Sequence, residues 1–475
     1  MVFNSFIFLI FLAIVLIAYY RLPRRYRNLF LLLCNYLFYI YFDVRFASLL
    51  LAITVIDYFL AEKIQAFSSY KGKKRILIIG LITNLLALGI FKYFNFFMDS
   101  FVSMISIFGF HLSYKALELI LPLGISFYIF QSLTYLFAIY LEQIEEKYTL
   151  LEFAVFVSFF PTISAGPIER ASNLLPQIRQ PRSFSSSHIR EGFILITAGM
   201  FRKVIIGDTA GKIVDHVFAQ PQYFASLEII MGILLFAVQI YNDFAGYSSI
   251  AKGVAKLLGF EIMDNFRQPY LSRSILEFWR RWHISLSNWL KDYVFKPLQF
   301  KFRDYDHWGN IISLLLTFTL CGLWHGARWT FIIWGFLHGF YMSFSLLTAN
   351  LRRTIRQKLV RSESLKKYSQ ISITFFLVTF SWIFFKAESF GNASVIFERL
   401  FHWTSSELTL RIVIIMASYS LASIFIDFIE IKFQSQAFLL CFSKPVRTAI
   451  ILTCWTTIFL YLFTYEKSPF LYTRF

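Results

Sequence analysis

Long apolar runs separated by short basic loops are the feature that most constrains the fold of this chain. A helix of about 20 apolar residues matches the hydrocarbon thickness of a bilayer and satisfies its own backbone hydrogen bonds. The first run extends from Phe3 to Tyr20, and because no small-residue cleavage site follows it, it indicates a retained helix. The later runs occupy residues 29–42, 46–61, 76–92, 94–109, 117–140, 150–165, 191–207, 226–246, 309–325, 329–349, 371–386, 409–430 and 446–465.

The composition also points to a bilayer as the solvent. The residues are 57% hydrophobic, 20% aromatic and only 16% charged, and the mean hydropathy is +0.59. A single soluble core cannot bury so much apolar surface, and the short alternating segments of a β-barrel are absent from the sequence. The chain is therefore predicted to be all-α and polytopic, with about 11–14 transmembrane or re-entrant helices, because some runs are too short for a full span.

Basic residues are concentrated in loops between the apolar runs. These loops are Arg21 to Arg27, Lys63 to Arg75, Arg170 to Arg190, Lys252 to Arg281, and Arg352 to Lys367. The positive-inside rule places them in the cytoplasm, which puts the N-terminus and the C-terminal Glu466 to Phe475 on the extracytoplasmic side. The net charge of +18 then reflects membrane topology, and we expect membrane lipid, not nucleic acid, as the partner of this surface.

No soluble domain, linker or repeat interrupts the pattern, so residues 1–475 are predicted to form a single integral membrane domain. The four cysteines lie in or beside apolar runs and have neither a metal-type spacing nor the pattern of a disulfide framework. We therefore expect no bound metal and no resident cofactor.

One segment between two apolar runs has a different pattern. Residues 274–296 are predicted to form an amphipathic helix at the cytoplasmic interface, with tryptophans at headgroup depth. Ser274 and Glu277 have the spacing of a capping box at its start, and Pro297 is expected to end it. The basic face is suited to an anionic donor such as coenzyme A, or to anionic lipid. The donor-binding candidates are Arg267, Arg280, Arg281 and Asn288.

His325 is the strongest candidate for catalysis, because an ionisable side chain inside an apolar run is a functional candidate by default. An imidazole can accept and return a proton near neutral pH, although a structural hydrogen-bonding role is the alternative. His338 follows in a similar Leu-His-Gly setting. An unbroken helix would place the two histidines apart around its axis, whereas a break between Gly326 and Arg328 leaves their cooperation open.

A second polar group lies close to membrane depth. Asn242 and Asp243 follow the apolar stretch 231–240. Asp243 is equally suited to pairing with an arginine in helix packing and to orienting a histidine or lining a polar tunnel. The side chains that we assign to the support of His325 or to such a tunnel are His338, Trp324, Asn242, Asp243, Trp282 and His283.

Six motifs occur in order along the chain. They are Leu-Pro-Leu-Gly-Ile-Ser-Phe-Tyr-Ile-Phe-Gln-Ser (121–132), Phe-Phe-Pro-Thr-Ile-Ser-Ala-Gly-Pro-Ile (159–168), Asp-Phe-Ala-Gly-Tyr-Ser (243–248), Asn-Phe-Arg-Gln-Pro-Tyr (265–270), Glu-Phe-Trp-Arg-Arg-Trp-His-Ile-Ser-Leu-Ser (277–287) and Leu-Trp-His-Gly-Ala-Arg-Trp-Thr-Phe-Ile-Ile-Trp-Gly (323–335). Together they resemble the membrane-bound O-acyltransferase family over nearly the whole chain, and within it the bacterial alginate O-acetylation branch.

In that family the essential histidine corresponds to His325 and a second recurrent histidine to His338. One stretch departs from the pattern. After residues 292–298 the alginate branch usually continues Gly-Gly-Asn-Arg, whereas this chain has Gln299-Phe300-Lys301-Phe302. The D-alanyl transferase branch, which acts on teichoic acids, also lacks that glycine pair.

The resemblance implies an all-helical bundle with a central tunnel through which a cytoplasmic thioester, acetyl-coenzyme A, reaches the histidine. It implies O-acetylation of an extracytoplasmic polysaccharide from the bacterial inner membrane, with a separate extracytoplasmic acetyltransferase as a partner. D-alanyl transfer to teichoic acid and peptidoglycan O-acetylation are alternatives within the family. A secondary transporter, which also places His and Asp in the membrane, and an inactive scaffold of a secretion complex are alternatives outside it.

Overall fold

The computed structural model describes residues 1–110, 112–352, 354, 362–403 and 409–465. Within these ranges the regular structure is helical, and the predicted all-α fold is confirmed. Eight of the described helices are long and apolar enough to cross a membrane, and three shorter apolar helices accompany them. Half of the basic loop 352–367 and the C-terminal Glu466 to Phe475 lie outside the described residues. The contacts group the chain into two compact units.

The first unit contains Met1–Ile196 and Tyr247–Met263. Its helices are α1 (Phe6–Arg21), α2 (Arg24–Ile40), α3 (Val44–Ala66), α4 (Tyr70–Leu88), α5 (Phe94–Ser106), α6 (Ile125–Tyr140), α7 (Leu150–Ser158), α8 (Phe160–Ile163), α9 (Ala171–Arg179) and most of α10 (Ser186–Met200).

One helix of this unit is longer than a bilayer requires. The helices α4 and α5 are joined by a π-helical turn, Gly89–Tyr93, into one run of 37 residues from Tyr70 to Ser106. The prediction of two separate spans at 76–92 and 94–109 is therefore wrong. The polar Lys92 interrupts the apolar pattern in the sequence, but a π-helical turn adds a residue without ending the helix.

The start of α6 depends on a close backbone approach. The apolar run 117–140 becomes helical only at Ile125, after Gly124 with a φ of +68°. Glycine adopts this left-handed conformation without the clash that a Cβ would cause. A Cβ at Gly124 would lie 2.1 Å from the carbonyl oxygen of Ile163, at the end of α8. This contact fixes the first turn of α6 against α8.

A buried carboxylate connects three helices of the first unit. Asp57 on α3 accepts hydrogen bonds from the Asn84 amide of α4 at 2.9 Å and from the Ser132 hydroxyl of α6 at 2.5 Å. Because a buried polar group is costly unless it is hydrogen-bonded, these contacts favour one arrangement of the three helices.

The second unit contains Thr197–Gly246 and the described residues of Asp264–Phe475. It begins with the end of α10 and a π-helical segment, Phe201–Asp208. Its further helices are α11 (Thr209–Ala219), α12 (Ser226–Leu257, whose last turns belong to the first unit), α13 (Ile275–Arg281), α14 (Ile284–Leu290), α15 (Lys296–Lys301), α16 (Asp306–His325), α17 (Trp329–Leu347), α18 (Glu363–Lys386), α19 (Phe390–Phe401), α20 (Thr409–Phe433) and α21 (Lys444–Thr464).

Two adjacent cations of the π-helical segment are buried and paired. Arg202 forms ion pairs with Asp427 at 2.7 Å and Glu430 at 2.9 Å, both on α20. Lys203 forms an ion pair with Asp243 on α12 at 2.5 Å. A buried charge is tolerated when a partner compensates its lost hydration, so these pairs tie α12 and α20 to the segment between α10 and α11.

The prediction of one helix over residues 274–296 is wrong. The chain forms α13 and α14, separated by Trp282 and His283, and His283 has a left-handed φ of +41°. A π-helical turn, Lys291–Phe295, follows α14. Pro297 lies in α15 directly after this π-helical turn instead of ending a helix, because the turn before it already replaces the regular pattern of helical hydrogen bonds with wider ones.

The tryptophans of this segment are covered by protein. Trp279, Trp282 and Trp289 are 4%, 0% and 5% exposed, so they do not lie among lipid headgroups as predicted. The helical period identifies an apolar face, but it does not tell whether lipid or protein covers that face. At the start of α13 the Ser274 hydroxyl accepts the Glu277 N–H as expected, whereas the Glu277 carboxylate bonds to the N–H of Arg273.

Candidate active site

The helices α16 and α17 form a tightly packed hairpin that carries His325. A Cβ on Gly335 would lie 2.1 Å from the carbonyl oxygen of Phe318, and a Cβ on Gly322 would lie 2.2 Å from that of Phe331. Both distances are too short for any side chain, so the two backbones touch through their glycines. This contact sets the position of the last turn of α16.

His325 is the last residue of α16, and it is 3% exposed. Gly326 and Arg328 have extended backbones, and α17 begins at Trp329. The break that the sequence suggested between the two histidines is therefore present. It lets α17 return antiparallel along α16, so that His338 lies beside Phe318, about two helical turns before His325 on α16, and the ring centres of His338 and Phe318 are 6.5 Å apart.

The imidazole of His325 is surrounded by aromatic rings. Its ring centre lies 4.9 Å from Trp324, 4.9 Å from Trp334 and 5.3 Å from Phe385 on α18. The Trp334 indole stacks on Trp382 with ring centres 5.6 Å apart. These large apolar rings leave the histidine in a low-dielectric environment, where hydrogen bonds and charges act more strongly than in water.

His338 reaches the same cluster from α17. Its ring centre lies 5.1 Å from Trp334, on which His325 also packs. The Trp279 indole N–H donates a hydrogen bond to His338 Nδ1 at 3.2 Å. The structure thus brings the two histidines into contact with one shared indole, which sequence analysis left open.

His283 completes the cluster from the break between α13 and α14. Its ring lies 4.6 Å from Phe244 and 6.0 Å from Trp324. His283 is fully buried, and burial lowers the pKa of its imidazole to about 3. His283, His325 and His338 therefore alternate with the indoles of Trp324 and Trp334.

The left-handed conformation of His283 is supported by Asn265. The carbonyl oxygen of Asn265 accepts the N–H of Ile284 at 3.0 Å, and its side-chain oxygen accepts the N–H of Ser285 at 3.1 Å. These bonds occupy N–H groups that the start of a helix leaves without intrahelical partners. A non-glycine residue with positive φ persists only where its surroundings fix it, and such residues are concentrated at functional sites.

Asn242 and Asp243 lie on α12 and are engaged with other parts of the second unit. The Asn242 amide donates to Ser423 at 2.8 Å and accepts from Arg202 at 3.2 Å. Asp243 pairs with Lys203. These contacts fit the packing role that the sequence allowed for Asp243, while a role in a tunnel stays a prediction.

The donor-binding candidates are partly brought together. The N–H of Arg267 donates to the carbonyl oxygen of Arg281 at 3.0 Å. The two guanidinium groups pair with Asp264 at 3.3 Å and Glu277 at 2.6 Å, respectively. Arg280 is exposed, and Asn288 is half-buried on α14. Arg267 and Arg281 thus lie together at a partly exposed basic surface next to the break at His283.

Several rings of this cluster carry no sequence signal that assigns them to a site. Trp334 belongs to the motif at 323–335 and Trp279 to the motif at 277–287, but neither motif indicates contact with the histidines. Trp382 and Phe385 lie in an apolar run whose aromatic residues look like those of any membrane helix. No sequence signal marks which helix packs on the hairpin.

Comparison with known proteins identifies the family of this chain. The model of the MBOAT, or membrane-bound O-acyltransferase, family matches residues 37–390. The chain belongs to this family. Membership identifies it as an acyltransferase and sets aside the transporter and scaffold alternatives.

The chain is similar to curated members of the family with different names. It is 37% identical over 440 residues to the "Probable alginate O-acetylase AlgI" of Azotobacter vinelandii, covering 90% of this chain and 85% of that protein. It is 32% identical over 432 residues to the "Peptidoglycan O-acetyltransferase" of Helicobacter pylori, covering 83% and 78%. It is 29% identical over 286 residues to the "Teichoic acid D-alanyltransferase" of Bacillus subtilis, covering 58% and 71%.

Proposed function

We propose that this MBOAT protein transfers an acetyl group from cytoplasmic acetyl-coenzyme A to a hydroxyl group of an extracytoplasmic polysaccharide. The observation that carries the proposal is the position of His325, a buried imidazole at the end of α16 enclosed by Trp324, Trp334 and Phe385. The similarity to an alginate O-acetylase over 90% of the chain supports acetyl as the group and polysaccharide as the acceptor class.

In the proposed reaction, neutral His325 accepts the proton of the attacking hydroxyl as its oxygen bonds to the thioester carbonyl carbon. The carbon–sulfur bond then breaks, the thiolate of coenzyme A takes the proton back from the imidazolium, and the ester is released. General base catalysis of this kind contributes about 100- to 10,000-fold to a rate. The surrounding rings of Trp334 and Phe385 exclude water, which would otherwise hydrolyse the thioester.

The donor is proposed to bind at the basic surface that includes Arg267, Arg280 and Arg281, with Asn288 as a further contact. Guanidinium groups bind phosphate in a bidentate manner, and coenzyme A carries phosphates at the end remote from its thioester. Arg281 lies two residues before His283, which belongs to the histidine cluster. We therefore propose that a donor bound at this surface extends its thioester toward that cluster.

We further propose that the protein lies in the bacterial inner membrane with an extracytoplasmic N-terminus, as its basic loops indicate. The described residues outside the helices form short connections, not a folded domain. A separate extracytoplasmic acetyltransferase is therefore proposed to complete delivery to the polymer.

Replacement of His325 tests the proposal. We expect His325→Ala and His325→Gln to abolish transfer of the labelled acetyl group from radiolabelled acetyl-coenzyme A to the polysaccharide in membrane vesicles that also contain the extracytoplasmic partner, with unchanged protein amount. His307→Gln, on an exposed part of α16, is the matched control and should retain transfer. Acetyl transfer by the folded His325 variants at the control rate contradicts the assignment.

The peptidoglycan O-acetyltransferase likeness supports a second acceptor. It covers 83% of this chain at 32% identity. Mild alkaline release of acetate from purified exopolysaccharide and from purified cell wall, with and without the protein, distinguishes the two acceptors. Release of D-alanine instead of acetate would point to the teichoic acid branch.

A further inference from the structure

In the hydrogen bond between Trp279 and His338, the indole must be the donor and the imidazole the acceptor. An indole nitrogen can donate but cannot accept, and Trp279 Nε1 lies 3.2 Å from His338 Nδ1. His338 Nδ1 must therefore be the acceptor, so the proton of the neutral imidazole is on Nε2. For most buried histidines the partner atoms are compatible with either neutral tautomer. Here the obligate donor Trp279 is compatible only with the Nε2–H tautomer of His338.

Both partners are held firmly. Trp279 is 4% exposed and His338 is fully buried. The His338 ring is parallel to that of Phe278, with centres 6.2 Å apart, and edge-on to Trp279 at 5.1 Å. The ring is therefore oriented by α13 as well as by its own helix α17. This connects the segment before the break at His283 with the hairpin that carries His325.

The two histidines of the hairpin consequently have different chemistry. The lone pair of His338 Nδ1 is occupied by the Trp279 N–H. A proton acceptor needs a free lone pair within reach of the reacting hydroxyl, and the Nε2 of His338 carries a proton in this tautomer. Its remaining polar function is that of an N–H donor, one indole away from His325 through Trp334.

We propose that Trp279 is a positioning residue for acyl transfer, which fixes His338 as the Nε2–H tautomer and so reserves the proton-accepting role for His325. This inference rests on the proposed function, because it assigns roles within the same site. His338 then presents a fixed N–H within the cluster of rings, and Trp334 packs on both His338 and His325.

Trp279→Phe removes the N–H while keeping an aromatic ring at the same place. We expect kcat to fall on the order of tenfold to a hundredfold, as for other residues that orient a catalytic group. The KM for acetyl-coenzyme A should stay within about twofold, because the donor surface is unchanged. Trp289→Phe makes the same replacement on the neighbouring α14, at a residue that packs on Tyr293, and should keep the parental kcat.

A spectroscopic measurement separates positioning from a purely structural role. In protein labelled with 15N-histidine, the His338 signals are identified by their loss in His338→Gln. The wild type should show a protonated Nε2 and an unprotonated Nδ1, and Trp279→Phe should show a mixture of both tautomers. This measurement does not require acetyl transfer, so a failure of the proposed function leaves it intact.

The inference is overturned if His338 carries its proton on Nδ1 in the wild type. It is also overturned if Trp279→Phe keeps the single tautomer, or if its kcat equals that of Trp289→Phe. Where Trp279→Phe fails to fold, the wild-type spectrum alone decides. Absence of acetyl transfer by the wild-type protein would instead refute the proposed function.

Discussion

His325 meets the indole of Trp334 edge to face, with ring centres 4.9 Å apart and an interplanar angle of 87°. The same indole packs on His338 at 5.1 Å. Because aromatic pairs prefer such edge-to-face arrangements, Trp334 favours one orientation of the His325 imidazole and links it to His338. The proposed role of His325 therefore depends on a ring that takes no part in proton transfer.

Replacement of Trp334 by Phe should lower kcat on the order of tenfold or more, because the smaller ring cannot contact both histidines. The cavity left behind should also reduce stability, by about 1–3 kcal/mol, since a large buried ring is replaced by a smaller one. Trp308→Phe is the control, because Trp308 is 64% exposed. Steady-state kinetics and thermal unfolding in detergent measure the two effects, and equal kcat values for both variants would contradict the role of Trp334.

Gly335→Val should prevent the hairpin from closing. Its Cβ would lie 2.1 Å from the Phe318 carbonyl oxygen, so α16 and α17 would have to move apart and shift His325. We expect loss of activity together with a clear decrease in melting temperature. Gly391→Val is the matched control, because the nearest atom to its Cβ is the Ser389 hydroxyl at 3.6 Å. A folded, active Gly335→Val protein would show that the glycine contact is not required.

Arg281→Gln should raise the KM for acetyl-coenzyme A about tenfold and leave kcat nearly unchanged. A lost charge-assisted hydrogen bond to phosphate weakens binding of the donor equally in the ground state and the transition state. Arg303→Gln, at a guanidinium that is 61% exposed, should keep the parental KM. A parallel decrease in kcat with an unchanged KM would place Arg281 outside the donor site.

The stability of the protein should decrease as the pH falls from 7 to 5. Burial lowers the pKa of His283 from 6.5 to about 3, so the unfolded chain binds a proton below about pH 6.5 that the folded chain does not. The contribution of His283 to the free energy of unfolding is therefore constant above about pH 6.5 and decreases below it, by about 2 kcal/mol at pH 5. Melting temperatures of the wild type and His283→Gln should diverge less at pH 5 than at pH 7. Parallel curves would show that His283 titrates normally.

The predicted topology can be tested with the natural cysteines. Cys441 is exposed, whereas Cys34 and Cys321 are buried and Cys454 is half-buried. The basic loops place Cys441 in the cytoplasm, so a membrane-impermeant maleimide should label it only in permeabilised cells. Trp403→Cys introduces a thiol at a position that is 66% exposed and predicted to be extracytoplasmic, and it should be labelled in intact cells. The reverse labelling pattern would invert the topology.

His325 could be predicted from the sequence because an ionisable residue within an apolar run stands out without any knowledge of the fold. The left-handed conformation of His283 could not be predicted, because counting at helical spacing assumes an unbroken helix and the chain breaks at that residue. The left-handed conformation there is imposed by Asn265, which lies 18 positions earlier. Only tertiary contacts could reveal this break.

The packing partners of the site were also beyond the sequence. Trp382 and Phe385 have no local feature that separates them from lipid-facing aromatic residues. The charge of Asp243 was evident in the sequence, unlike the packing role of these two rings. Its partner Lys203, however, could not be identified from spacing alone. Polar residues in apolar runs thus mark where chemistry or packing occurs, whereas the choice of partner needs the three-dimensional arrangement.

The helix from Tyr70 to Ser106 is longer than the bilayer is thick, which affects how other molecules approach the membrane surface. At about 1.5 Å per residue its 37 residues measure about 55 Å, against roughly 30 Å of hydrocarbon. Residues 70–75 belong to the basic loop predicted to lie in the cytoplasm, so about 46 Å of helix remains, and an upright helix would extend about 16 Å beyond the lipid tails on the opposite side. With the proposed orientation, the Ser106 end of this helix reaches the extracytoplasmic headgroups, where an incoming polymer or protein would meet it.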